Sequence, residues 1–284
     1  MSAENPRKPD TKNIRDRAYE RAHSGVTAEW VDRSARLLGP ESPTRGIWAR
    51  YLQRVNPVPA GPGPSLYEGL GILQPKWAGL VEHNLTVSAG AHTAAEMVGV
   101  DPSIAEQAGA VQDAGKRYDL EDKRKTREVL GDETVLLEKY VGTGEKAENL
   151  DTHVIDQMRR TGVADVAIVA ALNTGRLPDR YLKGHDRMDA IAKRGLASNV
   201  VAYVDARTID SSVVTLDEAQ EHYLKVKPDP KSQEFFKEHW LDYFKDVERY
   251  LIEASGGTFN PADLNNEAIL AKVKALVPEP PTTK

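Results

Sequence analysis

The sequence predicts an all-α protein, built as a helical bundle with helical extensions at both ends. Three features favour helix over sheet: Ala and Leu are common, aromatic residues make up only 6% of the chain, and helix-start signals precede apolar residues at helical spacing. We expect no strand, because even the valine-rich run 200–204 is surrounded by a helical pattern. The 284 residues, 40% of them hydrophobic, suffice for one large domain or two small ones.

Composition excludes several classes of protein. The net charge of −5 and pI of about 5.9 give no general attraction to nucleic acid or anionic lipid, so we expect a small molecule or a protein as partner. The absence of cysteine excludes disulfides, thiolate metal sites and a cysteine nucleophile. The polar N-terminus has no signal-peptide core, and the longest apolar stretch, 163–172, is too short to span a bilayer. We therefore expect a cytoplasmic protein without membrane association.

The N-terminal region contains three predicted helices and one clear break. Helical patterns cover 11–23, about 27–39 and about 42–55. The segment 56–65 holds four prolines and two glycines and cannot continue a helix. We take it as a boundary and expect three parts: an N-terminal helical region (1–66), a central helical domain (67–225) and a C-terminal helical extension (226–284).

The central domain begins with two helices joined by a short connection. Residues 77–98 are predicted as one helix, and Asp101-Pro102 begins the next, with Asp as N-cap and Pro at the first helical position. A single long helix is expected over about 187–206. The capping-box pattern at 215–218 begins a further helix.

An aromatic stripe marks the C-terminal extension. Residues 232–254 form a predicted amphipathic helix, and Asn260-Pro261 is expected to begin a last helix that ends near Leu276. The stripe is predicted as core packing against the bundle, with a homodimer interface as the alternative. It consists of Phe235, Phe236, Trp240, Tyr243, Phe244, Val247, Tyr250 and Leu251.

Three separated polar positions lie in small-residue or valine-rich helical surroundings. His83 lies early in its helix, Gln112-Asp113 ends the run AVQDAG, and Asp205 lies in the run VVAYVDART. In these positions the segment 83–208 resembles the HD-domain superfamily of metal-dependent phosphohydrolases. That family has an early His, a small-residue helix that ends in His-Asp, and a distant Asp on a later helix.

The resemblance implies an HD-domain-like helical bundle and a divalent-metal site formed by His83, Gln112, Asp113 and Asp205. In this family the metal activates water and polarises a phosphoryl oxygen. Gln112 stands where the family has His, and a neutral amide oxygen is a poorer ligand than imidazole for transition metals. We therefore expect Mg²⁺ or Mn²⁺ rather than Fe or Co, or no metal at all. A second metal is not expected, because Leu172 stands at a further histidine position.

Three basic residues are candidates for binding a phosphate. Lys116 and Arg117 follow the Gln-Asp pair and are the candidate catalytic and substrate-binding residues, and Arg207 is a third candidate for substrate binding. The alternative for Lys116 and Arg117 is a solvated helix end. His92 lies nine residues after His83, about 900° around the helix, so the two rings should point to opposite faces.

Two functions remain open from the sequence. The first is a single-metal hydrolase that acts on a phosphate ester or nucleotide. The second is a degenerate, non-catalytic HD-domain protein that binds a ligand or a protein partner, as the replacements at Gln112 and Leu172 suggest. A third interpretation is that Gln112 is an engineered or local change in an otherwise active lineage.

Overall fold

The computed structural model describes residues 45–59, 61–73, 77–114, 154–172, 174, 187–226 and 230–277. These residues are predominantly helical, which confirms the predicted all-α class. Within these ranges, none of the helices has both the length and the apolar character that crossing a bilayer requires. Residues 1–44, with the first predicted helices, lie outside the described ranges, as do the candidates Lys116 and Arg117.

The helices are α1 (Arg45–Val55), α2 (Leu66–Gly69), α3 (Ala78–Val98), α4 (Pro102–Val111), α5 (154–160), α6 (Asp165–Leu172), α7 (Arg187–Ala192), α8 (Leu196–Ala206), α9 (Leu216–Val226), α10 (Pro230–Phe235), α11 (Leu241–Ala254) and α12 (Asn266–Leu276). A π-helix (Phe236–Trp240) joins α10 to α11, and a 3₁₀ turn (Pro261–Asp263) precedes α12. An antiparallel hairpin, β1 (Thr208–Ile209) and β2 (Ser212–Val213), follows α8.

Helix α3 is the centre of the bundle. It contacts α1, α4, α8 and α12, and its small and apolar side chains allow neighbours to pack on several sides. It ends at Gly99, whose φ of 80° is left-handed and whose N–H donates to the Ala95 carbonyl. The predicted cap of the next helix is confirmed, because the Asp101 carboxylate accepts from the Ser103 N–H.

Helices α3 and α4 approach closely at a glycine. A Cβ atom on Gly109 would lie 2.7 Å from Ser88 Cα, so only glycine permits this spacing. Ser88 also donates to the Glu106 carbonyl at 2.8 Å, which fixes the register of the two helices. The close packing aligns the early part of α3 with the C-terminal end of α4.

The predicted single helix over 187–206 is wrong. Gly195 adopts a φ of 85° and separates α7 from α8, because the left-handed backbone cannot continue a helix. The expectation of no strand is also corrected by the hairpin, whose turn places Asp210 at a φ of 51°. Asn260-Pro261 begins a 3₁₀ turn, and the last helix starts instead after the N-cap Asn265.

The predicted capping box at 215–218 and the predicted core packing of the aromatic stripe both agree with the structure. The Glu218 carboxylate accepts from the Thr215 N–H at 2.8 Å, and the Thr215 hydroxyl accepts from the Glu218 N–H at 3.2 Å. In the aromatic stripe, the buried members belong to the main core: Trp240, Tyr243, Phe244, Val247 and Leu251.

The segment 56–65 connects two parts of one hydrophobic core. Trp48 and Tyr51 precede the segment, Tyr67 and Leu70 follow it, and all four are buried in the same cluster as the apolar residues of α3. The Leu66 N–H donates to the Pro57 carbonyl at 2.9 Å and closes the loop.

Candidate metal centre

Three side chains from distant parts of the chain meet at one end of the bundle. His83 lies in the second turn of α3, Asp113 just after α4, and Asp205 in the last turn of α8. One potential ligand atom from each lies within 4.8 Å of the others. His83 Nε2 is 2.9 Å from Asp205 Oδ1 and 3.6 Å from Asp113 Oδ2.

The side chain of Gln112 completes this cluster. Gln112 caps the C-terminus of α4 and places its Nε2 atom 2.9 Å from Asp205 Oδ1 and 3.1 Å from His83 Nε2. All four residues that the sequence proposed as ligands are therefore brought together.

The hairpin after α8 orients the imidazole. His83 Nδ1 lies 3.3 Å from the backbone carbonyl oxygen of Asp210, which can only accept a hydrogen bond. Nδ1–H can therefore donate a hydrogen bond to the Asp210 carbonyl oxygen, and Nε2 is the nitrogen that faces the carboxylates. Ligating histidines in metal proteins are commonly oriented by this kind of contact to a carbonyl.

The donor set fits a divalent cation. Around an octahedral ion with bonds of about 2.1 Å, neighbouring ligand atoms lie about 3.0 Å apart. The 2.9 Å separation between His83 and Asp205 matches this spacing, and the 3.6 Å separation between His83 and Asp113 is wider. A nitrogen and two carboxylate oxygens that converge in this way could act together as ligands of a divalent cation. Oxygen-rich sets of this kind suit Mg²⁺ or Mn²⁺.

The two carboxylates differ in their access to solvent. The side chain of Asp113 is 11% exposed, and that of Asp205 is 28% exposed. Asp205 is therefore the more accessible of the two carboxylates.

Tyr223 is a neighbour of the cluster that sequence reasoning missed. Burial raises the pKa of its phenol well above the ordinary range, and the negative charges of Asp205, Asp113 and Asp210 raise it further. Tyr223 is therefore a neutral hydroxyl donor in the field of the site. Its ring stacks on Phe236 with centroids 5.0 Å apart. A tyrosine on α9, ten residues beyond the hairpin, gives no sequence signal for this position.

Arg207 has a structural role in this fold. Its side chain is buried and donates to the carbonyl oxygens of Val214, Pro261 and Leu264 and to the Tyr203 hydroxyl. These bonds hold the hairpin and the 3₁₀ turn against the end of α8. A guanidinium engaged in this way is not available for the predicted substrate binding.

His92 belongs to a separate polar cluster on another face of α3. Its ring lies 3.4 Å from Glu96 and 3.7 Å from Glu106. Arg54 donates two hydrogen bonds of 2.9 Å to the Glu106 carboxylate. Burial raises the pKa of Glu106, but its contacts with His92 and Arg54 outweigh this and hold the pKa below its ordinary value. The prediction that His92 and His83 lie apart agrees with this placement.

Comparison with protein-family models, with curated proteins and with solved structures found no match for this chain. The HD-domain resemblance therefore stays a prediction from the sequence.

Proposed function

We propose that this protein is a divalent-metal-dependent phosphohydrolase of the HD type, with a phosphate ester as substrate. The observation that carries the proposal is the convergence of His83, Asp113 and Asp205, which come from three helices and lie within 4.8 Å of one another. Two carboxylates and an imidazole nitrogen directed at one point can together bind a divalent cation and balance its charge.

In the proposed site, His83 Nε2 and the carboxylates of Asp113 and Asp205 hold the metal, with Gln112 beside them. A divalent ion there would supply an activated water and a Lewis acid for the phosphoryl group. Asp210 holds the imidazole ring in place through its carbonyl oxygen, so that Nε2 stays directed at the site.

Other residues would act on the substrate. Asp205 lies on the more exposed side, so we infer that the phosphate ester approaches from there. The neutral Tyr223 hydroxyl is suited to donate a hydrogen bond to a phosphoryl or leaving-group oxygen. We retain Lys116 and Arg117 as candidates for phosphate binding, because they directly follow Asp113-Ala-Gly in the sequence.

A second candidate function is ligand or partner binding without turnover. One specific observation favours it: the Gln112 amide already makes hydrogen bonds with His83 and Asp205, where the family's histidine would bind metal. This function predicts binding of a phosphorylated molecule or a protein without release of phosphate.

A panel of phosphate esters separates the two functions. We expect the purified protein with added Mn²⁺ to release phosphate from at least one member of the panel. Asp113→Asn should lower the rate by about 100-fold or more, since it removes a ligand without changing side-chain volume. Asp242→Asn is the matched control, because Asp242 is an exposed aspartate on α11. If the wild-type protein releases no phosphate from any member of the panel with Mn²⁺ or Mg²⁺, the non-catalytic function is favoured.

A further inference from the structure

The nitrogen of the Gln112 amide faces the cluster of candidate metal ligands. Its Nε2 atom is 2.9 Å from Asp205 Oδ1 and 3.1 Å from His83 Nε2. A carboxylate oxygen can only accept hydrogen bonds, so the amide must present N–H, not C=O, to Asp205. An N–H group cannot bind a cation, whereas the oxygen of the same amide can.

The position of this nitrogen is also the position of a ligand. Gln112 Nε2, His83 Nε2 and Asp205 Oδ1 form a triangle with sides of 2.9 Å, 2.9 Å and 3.1 Å. One face of an octahedral ion with bonds of about 2.1 Å is a triangle with sides of about 3.0 Å. Gln112 Nε2 therefore occupies the third corner of such a face. An amide NH₂ nitrogen at this corner cannot coordinate a metal ion.

Rotation of the Gln112 amide places its oxygen at this corner in place of its nitrogen. A half turn about the last side-chain bond of glutamine exchanges Nε2 and Oε1, and this torsion is broad and readily crossed. In the N–H orientation the amide contacts both His83 Nε2 and Asp205 Oδ1 in the metal-free protein. The C=O orientation offers a neutral oxygen to a cation.

We propose that Gln112 is a coordination switch, which links His83 and Asp205 through its N–H group when the site is empty and turns its carbonyl oxygen inward as a ligand when a divalent ion binds. The switch rests on the proposed function, since it needs the same metal. It explains how a glutamine serves at this position: the N–H state keeps two ligand atoms at coordination spacing before the ion arrives.

Nitrogen-15 NMR of the side-chain amides observes the switch directly. The Gln112 NH₂ pair is identified by its absence from the spectrum of Gln112→Leu. In metal-free protein we expect this pair to exchange slowly with water, because it is hydrogen-bonded to Asp205. Saturating Mg²⁺, which is diamagnetic, should shift the pair and speed its exchange, because the N–H group leaves Asp205. An unchanged pair at saturating Mg²⁺ would overturn the switch.

Calorimetric titration of the same variants with Mn²⁺ shows whether the amide is a ligand or an obstacle. Leucine has a similar size but neither donates nor coordinates, so Gln112→Leu should bind Mn²⁺ about tenfold more weakly. Gln112→Glu should bind at least about tenfold more tightly, because a carboxylate adds charge and cannot make the N–H contact with Asp205. Tighter binding by Gln112→Leu would mean that the amide blocks the site, and the switch would be wrong.

The two experiments separate the switch from the proposed function. If Mg²⁺ and Mn²⁺ bind to the wild-type protein while the Gln112 resonances stay in place, the switch fails and the metal-dependent function stands. If neither the wild-type protein nor the Gln112 variants bind a divalent ion, both proposals fail.

Discussion

Helix α3 carries two histidines in two polar clusters of different charge. Around His92, the carboxylates of Glu96 and Glu106 are matched by Lys272 and Arg54, each in an ion pair. Around His83, the described contacts are with two carboxylates, an amide and a backbone carbonyl.

The difference distinguishes a cluster of paired charges from a cluster in which potential metal ligands meet. The His92 cluster balances two negative with two positive side chains and ties α1, α4 and α12 to α3, so folding alone accounts for it. The His83 cluster directs acceptor atoms of three side chains towards one point. Under the proposed function, this point is where the divalent cation would bind.

The largest expected effect comes from Gly109, whose contact with Ser88 supports both clusters through the spacing of α3 and α4. Gly109→Ala should destabilise the protein by about 3 kcal/mol, because the new Cβ would lie 2.7 Å from backbone. Denaturant unfolding measures this loss. Gly79→Ala is the control, since a Cβ there meets nothing within 4 Å and should be neutral or slightly stabilising. Equal stability of the two variants would contradict the close packing.

A smaller loss is expected from the His92 cluster. Glu106→Gln should lower the free energy of unfolding by about 1–2 kcal/mol at pH 7, since it weakens two charge-assisted hydrogen bonds from the partly exposed Arg54. Its folded-state pKa is depressed below 4.5, so this stability is present above pH 4.5 and is lost as the pH falls through the folded pKa.

The pH dependence supplies a check on that loss. The difference between wild type and Glu106→Gln, measured by denaturant unfolding from pH 7 to pH 3, should shrink as the pH falls below about 4.5. A difference that stays constant over this range would show that the ion pair is not its source.

The smallest effect on stability is expected from the His83 cluster. In metal-free protein, Asp113→Asn should change the free energy of unfolding by less than about 1 kcal/mol, because weakening its contact with His83 is offset by relief of its repulsion from the Asp205 carboxylate. Unfolding in the presence of a chelator measures this. A loss as large as that of Glu106→Gln would mean that Asp113 serves the fold, and the contrast between the clusters would disappear.

Local signals in the sequence predicted much of this structure. The caps at Asp101 and Thr215 are read from adjacent residues, and the aromatic stripe of α11 from helical spacing. His83, Asp113 and Asp205 were predicted to meet because of a resemblance to a known pattern, since the spacing of residues 122 apart has no physical meaning without a fold.

Features that depend on distant contacts escaped prediction. The sequence around Gly195 is compatible with one continuous helix or with two. The left-handed backbone of Gly195 in the structure shows that the helix is interrupted there. The π-helix leaves the Phe236 carbonyl to accept from the Gln220 side chain, which lies on another helix. Arg207 follows Asp205 closely in sequence but is directed to carbonyls 54 and 57 residues away, so proximity in sequence suggested the wrong role.

Binding of Mn²⁺, followed by calorimetry or electron paramagnetic resonance on chelator-treated protein, tests the central claim most directly. We predict about one Mn²⁺ per chain in the wild-type protein and in the Asp242→Asn control. In Asp113→Asn, binding should weaken by about 100-fold or more. No binding by the wild-type protein, or equal binding by Asp113→Asn, would contradict a metal centre at His83, Asp113 and Asp205.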